Sequence, residues 1–307
     1  MEQEKSRARS YGKYLTALLL FGTNGFAASH IHLASGDIVF WRTLIGSAGL
    51  LLLFVLTKNR FSFGKRPREV CCIGLSGVAM GLSWLLLYEA YALVGVSVAS
   101  LLYYCGPVIV MALSPILFQE RLTAVKLSGF AAVLAGIFLV NGQAVEQLNS
   151  RGIICGCLSA VLYAVMVLAN KKAQHITGIA NALLQLGAGF LTTAVFVGVK
   201  NGGYSMPNTL EDWVWVMLLG VLNTGIGCYL YFSSIGKLPV QSVAVCGYLE
   251  PLAAVVFSVG FLKETLLPWQ AVGAALIIGG ALLGECFGKS STESQEPCTL
   301  RSKGLHR

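Results

Sequence analysis

An all-α polytopic membrane protein, with ten transmembrane helices arranged as two inverted five-helix repeats, is the fold class that the sequence predicts. Three observations carry that expectation: composition, the spacing of apolar stretches, and an internal match between the two halves. Of the 307 residues, 55% are hydrophobic and only 12% are charged, with a mean hydropathy of +0.71. A soluble domain carries about a quarter charged residues. This composition leaves too little polar surface for a water-soluble enzyme, and it excludes a disordered chain.

A hydrocarbon core of about 30 Å takes about 20 helical residues to cross. Ten apolar stretches meet that length, at 13–31, 37–57, 70–93, 97–118, 124–141, 152–171, 178–200, 211–234, 240–262 and 268–287. The first has the look of a signal peptide, with basic residues before a Leu18–Phe21 core and the small run Ala27-Ala28-Ser29. Nine further spans favour a retained helix. The chain then divides into a basic segment 1–12, a first repeat 13–141, a second repeat 152–287 and a polar tail 288–307 expected to be disordered.

The net charge of +8 does not point to nucleic acid, because the basic residues lie between spans rather than along one face. Eighteen Lys and Arg fall on the side of the N-terminus, including Lys5, Arg7, Arg9 and Lys13 before span one and Lys58 to Arg68 after span two. Only Arg151, Lys200 and Lys263 fall on the other side, and Arg42 lies inside span two. Basic loops stay in the cytoplasm, so both termini are expected there, in the plasma membrane of a bacterium. Nine cysteines, among them Cys71-Cys72 and the Cys155/Cys157 pair, stand in apolar runs with no histidine at metal-ligand spacing. They read as packing residues, and no metal or cofactor is called for.

Sliding the chain by 144 residues lays Gly81 on Gly225, Tyr104 on Tyr248, Pro107 on Pro251 and Glu120 on Glu264. The register continues with Gly129 on Gly273 and Gly136 on Gly280. Apolar matches are cheap in a membrane protein, but Pro, Glu and Gly in one register are not. Five spans is an odd number, so the second unit enters from the opposite side, giving a pseudo-two-fold axis in the membrane plane. Such symmetry serves alternating access, in which a site between the halves opens to each side in turn.

Two five-span halves, each with a Pro in its fourth helix and a Glu where that helix ends, resemble the drug/metabolite transporter superfamily. The segments nearest its EamA-type repeat are Tyr104-Cys105-Gly106-Pro107 through Glu120 and Tyr248-Leu249-Glu250-Pro251 through Glu264. The resemblance implies ten helices and export or exchange of small metabolites, often driven by protons or antiport. It does not specify the solute.

Polar residues within spans are the candidate site. Glu250 lies near the midplane, directly before Pro251, where a helix break frees backbone carbonyls. Its repeat equivalent is Gly106, so the fold does not require the carboxyl, and coupling or binding a cationic group competes with a bond to a neighbouring helix. Arg42 and Glu89 sit at matching depths near the outer face, with Leu186 and Ser233 as counterparts. An outer-gate ion pair, or a zwitterionic substrate held between them, competes with Arg42 snorkelling to the headgroups.

Trp41, Trp84, Tyr88, Tyr103, Tyr104, Tyr163, Tyr229 and Tyr248 lie within spans, several deeper than the interfacial belt. Tyr104 and Tyr248 flank the proline breaks at Pro107 and Pro251 and are expected to wall a central cavity, with Trp84 stacking on solute. Gln185 and Asn223, also mid-span, are expected to offer hydrogen bonds to solute. Glu120 and Glu264 read as offsetting the dipole of the following helix, Asp37 and Asn181 as N-caps, and His30 and His32 as loop residues without partners. Small residues in spans five and ten (Ala132/Gly136, Gly280/Gly284) read as close packing faces, with a homodimer contact as a further expectation.

There is no GxxxxGK[ST], HExxH or GxSxG. The leading expectation is a secondary transporter exporting amino acids or related amphipathic solutes. The competing class is an intramembrane enzyme using Glu250 as its acid/base, beside Tyr248 or a histidine. An inverted repeat favours transport, since catalysis needs one site and no alternation. A passive scaffold fits poorly with a midplane carboxyl beside a helix break.

Overall fold

The computed structural model describes residues 2–58, 66–119, 123–141, 149–250, 253 and 268–283. Pro251, Glu120, Glu264, Gly284, the second half of span nine apart from Ala253, and the tail 288–307 lie outside the described residues. Every regular element described is helical. Five helical stretches are long and apolar enough to cross a membrane, namely Ser35–Leu56, Pro67–Gly95, Ser150–Lys171, Gly178–Asn201 and Leu210–Lys237. With the shorter apolar helices Cys105–Phe118 and Leu127–Gly136, they make this a multi-pass membrane protein.

The first span is two helices, α1 (Glu2–Gly22) and α2 (Asn24–Ser29), broken at Thr23. The break is bridged from about 200 residues away. The two N–H groups of the Asn223 amide are shared among the Leu20 carbonyl (3.0 Å), Thr23 Oγ1 (2.8 Å) and Asn24 Oδ1 (2.9 Å).

Helix α3 (Ser35–Leu56) starts after Ala34, so Asp37 is in its first turn rather than at the cap. There it accepts from the Ser205 amide at 3.3 Å and opposes the helix dipole. Helix α4 (Pro67–Tyr103) carries span three and the first third of span four with no loop between them. Gly95, at φ 78 and ψ 160, makes the whole turn, a conformation only glycine adopts freely. Helix α5 (Cys105–Phe118) follows a break at Tyr104. Pro107 is its third residue, where no intrahelical N–H is needed, and its ring excludes helical continuity with Tyr103.

Helices α6 (Ala124–Asn141), α7 (Ser150–Lys171) and α8 (Gly178–Asn201) complete the middle of the chain. Asn149 caps α7 by accepting from the Arg151 and Gly152 amides. Asn181 does not cap α8, which begins at Gly178 after Thr177. Instead it is buried and exchanges bonds with Asn170 (2.9 and 3.1 Å) while donating to the Phe232 carbonyl. Span eight runs as α9 (Leu210–Leu218), a π-helical stretch Leu219–Ile226, and α10 (Gly227–Ser234). The last described helices are α11 (Val240–Gly247), which breaks at Tyr248, and α12 (Pro268–Leu282).

Helix α4 packs along α7 and α8, α3 against α8 and the π stretch, α1 against α10, and α5 against α7 and α11. Helices α6 and α12 pair through their glycines. A Cβ on Gly136 would lie 2.5 Å from the Gly273 carbonyl oxygen, and one on Gly280 would meet that of Gly129. The small-residue faces are therefore filled by each other within one chain.

Candidate functional site

A cavity of about 40 Å³ opens where α1, α2, α4, α7 and α10 meet the start of the helix after Tyr248. Its aromatic walls are Phe21, Trp84, Tyr103, Tyr163, Tyr231 and Phe232. Met80, Met166 and Cys228 fill between them, and the polar lining is Asn24 and Glu250. Thioethers and aromatic faces make an adaptable apolar surface, so the cavity suits a solute with an apolar part and few polar groups.

Glu250 follows the Tyr248 break by two residues, is partly buried and lines the cavity. Tyr163 meets Tyr103 edge-on, with ring centroids 5.3 Å apart, and its hydroxyl lies 3.4 Å from that of Tyr231. Tyr231 in turn packs on Tyr14, which donates to the Val243 carbonyl at 2.7 Å. The aromatic walls are thus braced by one another and by the backbone of α11.

Of the residues expected from sequence, Glu250, Trp84 and Tyr163 line this cavity. Tyr104 and Tyr248 do not. They are buried at the two helix breaks, joined by a bond from the Tyr248 hydroxyl to the Tyr104 carbonyl at 3.1 Å. Tyr103, one position earlier, faces the cavity instead. The break rotates the chain between these neighbours, which periodicity alone does not reveal.

The expected Arg42–Glu89 pair is absent. Glu89 faces Arg151 (3.3 Å) and Lys200 (3.6 Å) at the protein surface. Arg42 turns the other way and is only 1% exposed, so it does not snorkel. Its Nε donates to Thr224 Oγ1 (2.9 Å), Nη1 to the Tyr88 hydroxyl (2.7 Å) and Nη2 to Asn24 Oδ1 (3.3 Å). The guanidinium also lies 4.5 Å from the Trp84 ring centroid, a cation–π contact. Tyr88 therefore serves Arg42 rather than the cavity.

Trp41 lies away from the cavity, donating to the Ser205 carbonyl at 2.8 Å and packing edge-on to Trp213. The Asn223 amide nitrogen faces the α1–α2 break, and Asn223 is not among the residues that line the cavity. Gln185 is fully buried and accepts from Asn170 at 2.9 Å. Its Nε2 is the single fully enclosed side-chain polar atom without a hydrogen-bond partner among the described residues. His32 does have a partner, since its amide and ring Nδ1 both face Asp212 (2.8 and 3.2 Å), while His30 stacks on Trp215.

Sequence reading missed Asn24, Tyr231, Met80, Met166 and Phe21. Asn24 carried a signal, as a polar residue deep in the first span, and the others are ordinary apolar positions until the helices are packed.

A family model described as the EamA-like transporter family matches residues 11–142 and 150–284. An uncharacterized transporter, YxxF, of Bacillus subtilis is 24% identical over 283 residues, covering 91% of this chain and 90% of that protein. The threonine/homoserine exporter RhtA of Escherichia coli is 26% identical over 253 residues, covering 81% and 80%. A solved crystal structure superposes with a TM-score of 0.79 at 20% identity, over 92% of this chain and 99% of that one.

Proposed function

Because the chain belongs to the EamA-like transporter family, and is a transporter rather than an enzyme, we propose that it exports or exchanges amino acids or related amphipathic solutes by alternating access. The observation that carries this reading is the cavity itself. Residues from the first half (Phe21, Asn24, Trp84, Tyr103) and the second (Tyr163, Tyr231, Glu250) converge on one apolar chamber holding a single carboxyl among its described lining. The threonine/homoserine exporter among the relatives supports the solute class.

The mechanism rests on ten helices in two inverted five-helix units, 13–141 and 152–287. Several features support that arrangement. The two breaks have nearly the same backbone angles, φ −70 and ψ −3 at Tyr104 against φ −72 and ψ −4 at Tyr248, and these residues are 144 apart. The contacts of Gly136 with Gly273 and of Gly280 with Gly129 are reciprocal under the same shift. The excess of basic residues in one set of loops supports cytoplasmic termini in a bacterial inner membrane. Glu250 is the group that binds the cationic part of the solute or carries the coupled proton.

Comparing metabolites in cells and medium for wild type and Glu250→Gln at equal membrane abundance tests this. A solute exported by the wild type and retained by the variant identifies the cargo and the site together. Full-rate export by Glu250→Gln with unchanged pH dependence removes Glu250 from the mechanism.

A further inference from the structure

The transport reading leaves a buried charge unexplained. Among the described residues Arg42 makes no ion pair, and its three acceptors are the neutral oxygens of Thr224, Tyr88 and Asn24. A guanidinium has five N–H groups, so two are left without an acceptor among the described residues. Neutral oxygens solvate a cation without cancelling its charge, and an unpaired charge inside a membrane protein is costly and marks a functional site by default. If tying α2, α3, α4 and the π stretch together were the whole task, a neutral donor would perform it.

The position of Arg42 says where the missing anion comes from. Its guanidinium covers Trp84, and its Nη2 holds Asn24, both of which line the cavity. The bond to Asn24, at 3.3 Å, is the longest of the three and the one that an incoming group displaces most easily. Glu250 lines the same cavity from the second half, and the Arg42 charge reaches it electrostatically. Arg42 thus lies behind the part of the wall formed by Trp84 and Asn24, while Glu250 lines the chamber itself, with Met80, Tyr103 and Met166 among the apolar walls.

We propose that Arg42 binds the carboxylate of the transported solute, which exchanges for Asn24 at Nη2, while the ammonium group of the same solute faces Glu250. This rests on the transport reading above and adds the residue that selects for an acid. A planar pair of oxygens matches two parallel N–H groups, and Glu250 disfavours a doubly charged anion such as phosphate. A simple amine, lacking the carboxylate, leaves the buried cation uncompensated.

The test uses the full-length protein in proteoliposomes and three matched sets of probes. Alanine, leucine and phenylalanine are each compared with their amide and their decarboxylated amine. The wild type is expected to move at least one amino acid about tenfold faster than its amide or amine, a modest demand on a desolvated charge contact. Arg42→Lys keeps the charge without the paired N–H groups and lowers the acid-to-amide ratio part of the way, and Arg42→Gln brings it close to one. The wild-type comparison needs no variant, so a folding defect in Arg42→Gln does not shelter the proposal. Equal flux of acid and amide in the wild type, or a ratio unchanged in a folded Arg42→Gln, overturns the role of Arg42 and leaves transport standing. No flux of any probe above protein-free vesicles overturns the amino-acid reading of the cargo, and the Arg42 assignment with it.

Discussion

Adding one methyl group at Gly46 tests how tightly α3 is keyed to the π stretch that holds Arg42's partner. A Cβ there would lie 2.8 Å from the Thr224 methyl carbon and 3.1 Å from the Gly220 carbonyl oxygen. Thr224 cannot swing aside freely, since its hydroxyl donates to the Leu219 carbonyl and accepts from Arg42. Either α3 moves by several tenths of an ångström or those two bonds break. Overpacking of this kind costs about 1–3 kcal/mol. Gly49, one turn further along the same helix, has nothing within 4 Å of its Cβ position, and alanine there gains up to about 1 kcal/mol of helix propensity. The same propensity gain applies at Gly46 and cancels, so the two variants should differ by the clash alone, about 1–3 kcal/mol, or roughly 2–12 °C in Tm at 2–4 °C per kcal/mol. Thermal unfolding of both purified proteins in the same detergent measures the gap. Equal midpoints, or a Gly46→Ala midpoint above that of Gly49→Ala, would refute the close crossing of α3 on the π stretch.

Gly95→Ala meets no atom within 4 Å, yet its φ of 78 makes it strained, so a loss of about 1–3 kcal/mol in thermal unfolding is expected from the backbone alone. Asn223→Ala leaves the α1–α2 break without its main side-chain donor. It should cost about 1–3 kcal/mol, and faster proteolysis near Thr23 would locate the damage. Glu89→Gln, which alters a surface cluster with Arg151 and Lys200, should leave transport in proteoliposomes within about twofold, since exposed pairs contribute at most about 1 kcal/mol. A charge swap of Arg42 and Glu89 is expected to restore nothing, because the two do not meet.

The apolar stretches could be read from sequence because lipid selects for length and hydrophobicity, which are local properties. The helices α3, α7 and α8 fall close to the spans expected from that rule. The breaks were only partly legible. Pro107 announces the one at Tyr104, but the break at Thr23 is bridged by Asn223, and the π stretch carries Thr224, which bonds Arg42. Contacts between residues some 180 or 200 positions apart leave no periodic mark. The same limit explains the site. Glu250, Trp84 and Tyr163 stand out as polar or aromatic residues deep in spans, and all three reach the cavity. Depth along a helix does not tell which way a side chain points, so Arg42 and Glu89 were matched by depth although they face opposite ways. Tyr103 and Tyr104 exchange roles for the same reason.

The wide winding of Leu219–Ile226 also works as a vernier on the cavity. Cys228, Tyr231 and Phe232 lie just beyond it. Were the same residues wound as an ordinary helix, everything downstream would turn by about 100° per residue of slip and advance by about 1.5 Å. Those three side chains would leave the chamber, and their neighbours would take the wall. The shape that this transporter presents to its cargo is thus set by a phase angle as much as by residue identity. That angle is held by the hydroxyl of Thr224, clamped between the Leu219 carbonyl and Arg42.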